Sequence, residues 1–266
     1  MFPVIDTHCH IYPDKIAQKA ATGIGAFYDV PMKFDGRLDT LKAVSARARV
    51  EHSLIFSVAT APRQVASINK FIASNVEKSG GRFTGLGTLH PDSEDMEGDV
   101  RQILALGLKG VKLHPDVQGF PIDNDRGMLI CELCEQYHLP VLLHCGDFRY
   151  DYSNVNRLKP ILERFRDLQV IGAHFGGWSL WEDASKALHS YDNFVVDSSS
   201  TFAWVDRDTA KRMIGLYGSE RVLFGSDFPM WDPRDEIGFL LSLQLGDDAY
   251  ENIFHKNAQT LFDIEL

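Results

Sequence analysis

One pattern recurs along the whole chain: a short run of apolar, often β-branched residues that ends in a polar or ionisable residue. We predict a strand for each of eight such runs, at residues 4–10, 52–58, 83–89, 110–113, 140–143, 170–173, 193–196 and 221–226. Most segments between them are long enough for a helix and carry apolar residues at helical spacing. Strands that alternate with helices favour parallel pairing, and eight such units predict an α/β fold, the closed (β/α)8 TIM barrel.

The helices are predicted at residues 37–50, 62–78, 93–106, 123–137, 155–166, 180–190 and 206–217. Asp206 and Ser93 are expected as N-caps, and Pro62 in a first turn. Residues 11–36 are predicted to be irregular, as a lid or a binding segment, because four aromatic residues weigh against mere surface padding. With 266 residues and no tandem repeat or linker in the sequence, one domain over residues 1–266 is expected.

Two histidines with one residue between them end the first predicted strand, in Asp6-Thr7-His8-Cys9-His10. Side chains alternate between the two faces of a strand, so Asp6, His8 and His10 share one face. The two imidazoles are then about 6–7 Å apart along the strand. That spacing allows both rings to converge on one ion, and imidazole is a good ligand for divalent transition metals.

Ionisable residues also end other predicted strands. His10, His114, His144, His174 and Asp227 fall at or just after the carboxyl ends of five different strands. Active sites of TIM barrels lie at this face. Because scattered polar core residues would not cluster at one pole, the pattern predicts a metal site built by the fold.

Several motifs resemble those of the amidohydrolase superfamily, in the family's order. They are Asp6-Thr7-His8-Cys9-His10, Lys112-Leu113-His114-Pro115, His144-Cys145-Gly146, Ala173-His174-Phe175-Gly176-Gly177, Gly225-Ser226-Asp227-Phe228-Pro229 and the terminal Asn257-Ala258-x-x-Leu261-Phe262. The closest resemblance is to the amidohydrolase-2 branch, which includes the aminocarboxymuconate-semialdehyde decarboxylase-like enzymes. This branch contains both hydrolases and non-oxidative decarboxylases, so the resemblance implies a superfamily and not one reaction.

The resemblance implies that His8, His10, His144 and Asp227 ligate a metal, with His174 as a catalytic histidine or a support of the ligands. One divalent ion is expected, with zinc as the first choice and manganese as the second. Such an ion lowers the pKa of bound water from 15.7 to about 7, which supplies hydroxide at neutral pH. Asp227 would accept a proton from the attacking water, and His174 would position or protonate the reacting group.

Lys112 lies two residues before His114, so both are predicted to face the barrel axis. In binuclear members of the superfamily a carboxylated lysine from this strand bridges two metals, and Lys112 is the candidate for that role. Pairing with Asp6 or another buried carboxylate is the alternative, and one metal is preferred. His114 is expected to contact substrate or water, or else to cap the segment at Pro115.

Residues in the loops after the strands are candidates for substrate binding: Arg63, Arg149, Trp178 and Trp231. Tryptophans in several loops at one pole favour a largely apolar or ring-containing substrate, unless they cover the barrel or an oligomer interface. An arginine among them would suit a substrate carboxylate through bidentate hydrogen bonds.

The net charge of −10 argues against a nucleic-acid partner. No apolar run approaches the ~20 residues of a membrane span. Four cysteines are too few for a disulfide framework, and Cys131-x-x-Cys134 falls inside a predicted helix. A cytoplasmic protein with reduced thiols is expected, acting on a small molecule, and a homo-oligomer is left open.

Three functions remain. The first is a metal-dependent hydrolase that uses a metal-bound hydroxide on a small carboxylate-bearing or ring-containing ester, lactone or amide. The second is a metal-dependent, non-oxidative decarboxylase of an aromatic or enoic acid. The third is a metal-binding protein without activity, which the presence of both Asp227 and His174 disfavours. The sequence does not choose between the first two.

Overall fold

Parallel strands occupy all eight predicted positions in the computed structural model, which describes residues 2–266. The strands are β1 (Ile5–His10), β2 (His52–Phe56), β3 (Phe83–Gly85), β4 (Gly87–Thr88), β5 (Val111–Leu113), β6 (Val141–Leu143), β7 (Val170–Gly172), β8 (Phe194–Asp197) and β9 (Val222–Leu223). The third predicted strand is split into β3 and β4, because ladder pairing stops at Leu86. The two sheets have the orders β1-β2-β3 and β4-β5-β6-β7-β8-β9.

Backbone hydrogen bonds close the two sheets into one barrel. At the split, Leu86 N donates to Ile55 O (3.1 Å) and Gly87 N donates to Gly110 O (2.8 Å). On the other side, Thr7 N donates to Phe224 O (2.9 Å), which joins β1 to the end of β9. The expected TIM barrel is therefore confirmed.

Helices follow the strands around the barrel. They are α1 (Asp14–Tyr28), α2 (Leu38–Ala48), α3 (Val65–Glu77), α4 (Met96–Ala105), α5 (Pro115–Gln118), α6 (Asp125–Gln136), α7 (Val155–Arg164), α8 (Trp181–Leu188), α9 (Arg207–Tyr217), α10 (Pro233–Ser242), α11 (Asp247–Glu251) and α12 (Asn257–Phe262). Asp206 caps α9 by accepting from Thr209 N at 2.8 Å, as predicted. The cap of α4 is Asp95 and not Ser93, since Asp95 accepts from Gly98 N at 2.9 Å.

Helix α1 corrects the expectation that residues 11–36 are irregular. Its sequence is rich in alanine, a strong helix former, and this outweighs the two glycines that suggested a break. Gly25 is needed for packing, because a Cβ there would lie 2.7 Å from the carbonyl oxygen of Val30. The helix ends where Asp29 adopts a left-handed conformation and its N–H donates to Gly25 O.

The core has two layers. Apolar side chains inside the barrel, such as Leu54, Leu142 and Ile171, form one cluster with Ala258 and Phe262 of α12. A larger cluster fills the space between the barrel and the helices. Both faces of the strands are thus buried, as is usual for parallel sheets. Within residues 2–266, no helix combines the length and the apolar character that crossing a bilayer requires.

Candidate metal centre and active site

Three of the predicted ligands converge at the carboxyl end of the barrel. His8 and His10 extend from β1, and Asp227 follows β9; their ligand atoms lie within 4.8 Å of one another. The Nε2 atoms of His8 and His10 are 3.3 Å apart, and Oδ1 of Asp227 lies 3.5 and 3.6 Å from them. Donors that each bind an ion at 2.0–2.2 Å in tetrahedral geometry are separated by about 3.4 Å. The cluster therefore fits a single small divalent ion.

Further hydrogen bonds hold these side chains in place. Nδ1 of His8 lies 2.7 Å from Oδ2 of Asp197, which leaves the lone pair on Nε2 facing the cluster. The Ser200 hydroxyl donates to Oδ2 of Asp227, and Nε1 of Trp231 donates to the Ser200 oxygen at 2.8 Å. Trp231, expected to bind substrate, is thus brought to Asp227 through Ser200.

Burial sets the charge state of the cluster. Desolvation lowers the pKa of His8 and of His10 well below the ordinary value for histidine. Desolvation also raises the pKa of Asp227 to about 6, against the opposing hydrogen bond from Ser200. Neutral imidazoles beside a desolvated carboxylate form a site that a cation stabilises.

His144 lies next to this cluster and not inside it. Its Nδ1 is 3.0 Å from Nε2 of His174, and the His174 ring centroid is 5.3 Å from that of His8. His144 belongs to a second group of possible ligands, with His114 and Asp116, and its Nε2 lies 3.3 Å from Oδ2 of Asp116. The His114 and His144 rings stack at 3.9 Å.

The Lys112 side chain is fully buried beside His8, with its Nζ 3.3 Å from Nε2 of that histidine. Desolvation lowers the pKa of Lys112 to about 8. The expected alternative pairing with Asp6 is not formed. Asp6 instead accepts from the backbone N–H (2.9 Å) and hydroxyl (2.5 Å) of Ser226.

A cavity of about 820 Å³ opens above these residues. Its polar end contains Lys112, Ser200 and Asp227 together with the four histidines at positions 8, 10, 144 and 174. His114 lines it as well, and it also caps α5, because its Nδ1 accepts from Val117 N at 3.4 Å. The capping expected at Pro115 is thus present, and contact with substrate stays a prediction. The wall is mostly apolar, and its larger residues are Tyr12, Ile16, Ile24, Phe27, Tyr28, Met32, Ile68, Phe71, Trp178, Trp204 and Met230.

The structure does not bring the two predicted arginines to this cavity. Arg63 lies exposed on a short 3-10 turn (Pro62–Gln64), and Gln64 lines the cavity instead. Arg149 is paired with Asp147 at 2.7 Å and donates to the carbonyl oxygen of Phe27 at 2.6 Å. Its guanidinium lies over the Tyr28 ring, 5.3 Å from the centroid, so it supports the aromatic wall.

Three cavity residues have a left-handed backbone: His174 (φ 60°), Ser200 (φ 47°) and Asp227 (φ 59°). Such conformations cost of order 1–3 kcal/mol each in residues other than glycine, and they concentrate at functional sites. Here they aim side chains from the ends of neighbouring strands into one cavity.

Sequence reasoning missed Tyr28, Asp116 and Ser200 as site residues. Tyr28 lies in the segment predicted to be irregular, where its aromatic ring was the only signal. The Asp116 side chain is buried, neither of its oxygens has a hydrogen-bond partner among the described residues, and Oδ2 lies 3.3 Å from Nε2 of His144. Desolvation raises the pKa of Asp116 to about 7. Its position directly after His114-Pro115 was the available signal.

A TIM barrel with two histidines and an aspartate at the carboxyl ends of its strands has the form of a metal-dependent enzyme. A sequence profile of the amidohydrolase family, in its amidohydrolase-2 branch, matches residues 5–264. The chain belongs to this family, and the resemblance seen in the sequence is confirmed. Among curated protein sequences, no significant match is found.

Solved structures share the fold at low sequence identity. An uncharacterised TIM-barrel protein from Bordetella bronchiseptica is 19% identical with a TM-score of 0.81, covering 98% of this chain and 99% of its own. A dihydroxybenzoic acid decarboxylase from a Polaromonas species, solved with manganese and the inhibitor 2-nitroresorcinol, is 17% identical with a TM-score of 0.75, covering 99% and 97%. A protein from Pseudomonas putida assigned as a 2-pyrone-4,6-dicarboxylic acid hydrolase is 17% identical with a TM-score of 0.68, covering 100% and 99%. The family match places the chain among the enzymes of the amidohydrolase superfamily. The structures include a decarboxylase and a protein assigned as a hydrolase, and they do not decide the reaction.

Proposed function

We propose that the protein is a metal-dependent hydrolase of small, uncharged, ring-containing esters, lactones or amides. The observation that carries the proposal is the cavity itself: three metal-ligating side chains stand at its polar end, and its wall is apolar and aromatic. Pockets of this kind recognise small molecules through shape and a few polar groups.

The donor set fits zinc, with manganese as the second choice. His8, His10 and Asp227 would hold the ion, and we propose His144 as the fourth ligand. A divalent ion supplies Lewis acidity, which polarises a carbonyl and lowers the pKa of water.

The side chains supply the proton transfers. Asp227 is positioned to accept a proton from the attacking water, because Ser200 holds its Oδ2 and leaves Oδ1 facing His8 and His10. Nδ1 of His174 lies 2.9 Å from the Ser199 carbonyl oxygen. This contact fixes the ring. Nε2 of His174, which lies 3.0 Å from Nδ1 of His144, is then the ring atom that can exchange a proton within the site.

The lack of an arginine among the described residues that line the cavity favours an uncharged substrate over the carboxylate-bearing one that the sequence suggested. Among residues 2–266, no arginine lines the cavity, since Arg63 is exposed and Arg149 is committed to Asp147. A carboxylate in the apolar part of the cavity would lose its hydration without gaining a bidentate partner.

Decarboxylation is the second candidate, and Lys112 is the observation that favours it. Its amine lines the polar end of the cavity beside His8 and could pair with a carboxylate bound there. In that case the substrate would be an aromatic or enoic acid.

A product assay decides between the two reactions. The metal-loaded protein is offered neutral aryl esters, lactones and amides alongside matched aromatic acids, with Asp227→Asn as the inactive control. We expect acid release from neutral substrates and no CO₂ from the acids. Release of CO₂, without hydrolysis of any neutral compound, would replace the proposed function by the second one.

A further inference from the structure

Four side chains form one chain of hydrogen bonds across the floor of the cavity. The Tyr28 hydroxyl lies 2.7 Å from Nε2 of His114 and 3.2 Å from Nε2 of His144. Nδ1 of His144 lies 3.0 Å from Nε2 of His174. Each of these contacts joins two groups that can either donate or accept. Which group donates in each hydrogen bond therefore has to be found from the two ends of the series.

The Ser199 end fixes the direction. Its carbonyl oxygen only accepts, and its hydroxyl donates to Oδ1 of Asp197, so Nδ1 of His174, 2.9 Å from both Ser199 oxygens, carries the proton. Nε2 of His174 then accepts, and Nδ1 of His144 must donate to it. Consequently, Nε2 of His144 bears a lone pair and accepts from the Tyr28 hydroxyl.

The other end gives the same direction independently. The backbone N–H of Val117 only donates, and it lies 3.4 Å from Nδ1 of His114. Nδ1 of His114 therefore accepts, which places the ring proton on Nε2. That proton is donated to the oxygen of Tyr28, whose own proton is left for His144.

The lone pair on Nε2 of His144 is also the one that the ring would use as a metal ligand. It cannot accept from Tyr28 and ligate an ion at the same time. When an ion binds this lone pair, the Tyr28 oxygen still accepts the hydrogen bond from His114, but the Tyr28 proton has lost His144 as its acceptor. Tyr28 lines the cavity, so an oxygen of the bound substrate can accept this proton, and Asp116 makes no hydrogen bond with Tyr28 that would hold it back.

We propose that Tyr28 is a catalytic residue that donates to Nε2 of His144 in the metal-free protein and to the substrate carbonyl oxygen in the loaded enzyme. Only the donation to a substrate carbonyl oxygen rests on the proposed hydrolysis; the donation to His144 does not. A preorganised donor at the carbonyl oxygen stabilises the negative charge that develops there. Since His114 already donates to the phenol oxygen, the Tyr28 proton is polarised toward that charge.

The surroundings of Tyr28 fit such a role. The Arg149 guanidinium lies over its ring, 5.3 Å from the centroid, and Trp178 packs edge-on with centroids 5.0 Å apart. Phe27 packs against the same ring at 4.9 Å. These contacts hold the ring independently of its hydroxyl, so Tyr28→Phe should fold and keep its place.

Two measurements on Tyr28→Phe test the proposal, with Tyr150→Phe as the matched control. Tyr150 stacks on Phe27 at 5.5 Å, in the same aromatic cluster but outside the hydrogen-bond chain. Zinc affinity of the metal-free proteins is measured by competition with a chelator, and kcat and KM are measured on a neutral aryl ester. Thermal unfolding verifies that each variant is folded.

For Tyr28→Phe we expect zinc to bind about 2–10-fold more tightly, because one hydrogen bond of about 0.5–1.5 kcal/mol no longer competes for the lone pair. We expect kcat to fall about 10²-fold with little change in KM, the effect of losing one donor to a developing oxyanion. Tyr150→Phe should match the wild type in both.

Weaker zinc binding in Tyr28→Phe would make the phenol a ligand and overturn the proposal, as would unchanged affinity together with unchanged kcat. If the wild type releases only CO₂, the proposed hydrolysis fails. The affinity comparison then still decides whether Tyr28 and the ion compete for His144.

Discussion

Nε2 of His8 faces the ligand atoms of His10 and Asp227 because Nδ1 of the same ring is hydrogen-bonded to Asp197. Asp197 is itself fixed, since its Oδ1 accepts the backbone N–H groups of His174 (3.1 Å) and Ser199 (3.0 Å). Hydrogen bonds of this kind set the tautomer and the orientation of a ligand histidine. His8 is therefore prepared to bind an ion before the ion arrives, whereas His174 is held by the same network without facing the cluster directly.

We therefore predict that substitutions of the ligand residues and substitution of His174 have different effects on metal content. His8→Ala and Asp227→Ala should lose metal and activity together, because each removes a donor of the cluster. His174→Ala should keep most of the metal and lose roughly 10²–10⁴-fold in turnover, the range of general acid–base assistance. Metal content and turnover are measured on the same preparations. A metal-free His174→Ala protein would make His174 a ligand, and a fully active one would remove it from the mechanism.

Glu236 on α10 predicts a dependence of stability on pH. Burial raises its pKa to about 8, with added repulsion from Asp227, Asp235 and Asp6 against attraction from Lys33. The protonated form is favoured in the folded state, so the stability it provides is present below the unfolded pKa of 4.5 and is lost as the pH rises to about 8.

Glu236→Gln should remove this loss. The free energy of unfolding of the variant, relative to that of the wild type, should therefore rise by a few kcal/mol between pH 4.5 and pH 8. Urea unfolding at both pH values measures the difference. Parallel pH profiles for the two proteins would show that Glu236 ionises freely in the folded state.

Residues that end strands could be located from the sequence, because strand ends of a barrel meet at one pole. The sequence therefore pointed to His8, His10 and Asp227. It could not place Arg149 or Tyr28, since the first is paired with Asp147 and the second is oriented by contacts from distant segments. Contacts between distant segments leave no recognisable pattern in the local amino-acid sequence.

Among the elements, α1 has the largest effect on the shape of the cavity. It contributes Ile16, Ile24 and Tyr28 to the wall. Its carboxyl end is tied to the loop after β6 by Arg149, which donates to Phe27 O. The helix was not predicted, because glycine at positions 23 and 25 is typical of a break. Strands were easier to find because their β-branched runs are buried on both faces.

Two glycines on α1 provide a matched pair of substitutions. A Cβ at Gly25 would lie 2.7 Å from Val30 O and 2.9 Å from Cγ of Met32, whereas one at Gly23 would meet nothing within 4 Å. Gly25→Ala should cost about 1–3 kcal/mol and raise KM by displacing α1. Gly23→Ala should stabilise the helix by about 0.5–1 kcal/mol. Chemical denaturation and steady-state kinetics measure both effects, and equal behaviour of the two variants would contradict the described packing.

At the scale of the whole molecule, the metal cluster joins the first strand to the segment after the last one. An ion bound only by the folded state stabilises it, by about 2.7 kcal/mol at 100 times its Kd. For a protein of this size, each kcal/mol corresponds to about 2–4 °C in Tm. Zinc should therefore raise the Tm of the metal-free protein by about 5–10 °C.

His8→Ala should abolish the rise in Tm with zinc, while His189→Ala, at the end of α8 and outside the cavity, should retain it. Scanning calorimetry with and without a chelator measures the shift. A shift that persists in His8→Ala would place the ion elsewhere.

The barrel was predictable from the alternation of strands and helices, because that alternation permits few other arrangements. The break at Leu86 was not, because it shows only in the strand pairing, where β3 belongs to one sheet and β4 to the other. The reaction was not predictable either, because the cavity wall is built from loops and α1, whose arrangement depends on the whole fold.

The closure of the barrel also bears on when the metal centre can be built during synthesis. Thr7 bonds to a residue 217 positions further along the chain, and Asp6 to one 220 positions further. While the ribosome is still adding the residues before Asp227, the nascent chain carries His8 and His10 without their carboxylate partner. Binding of one ion by all three residues therefore requires that nearly the entire polypeptide has left the exit tunnel. An ion would then reach these three residues in a nearly complete barrel, at the polar end of a cavity whose wall includes α1.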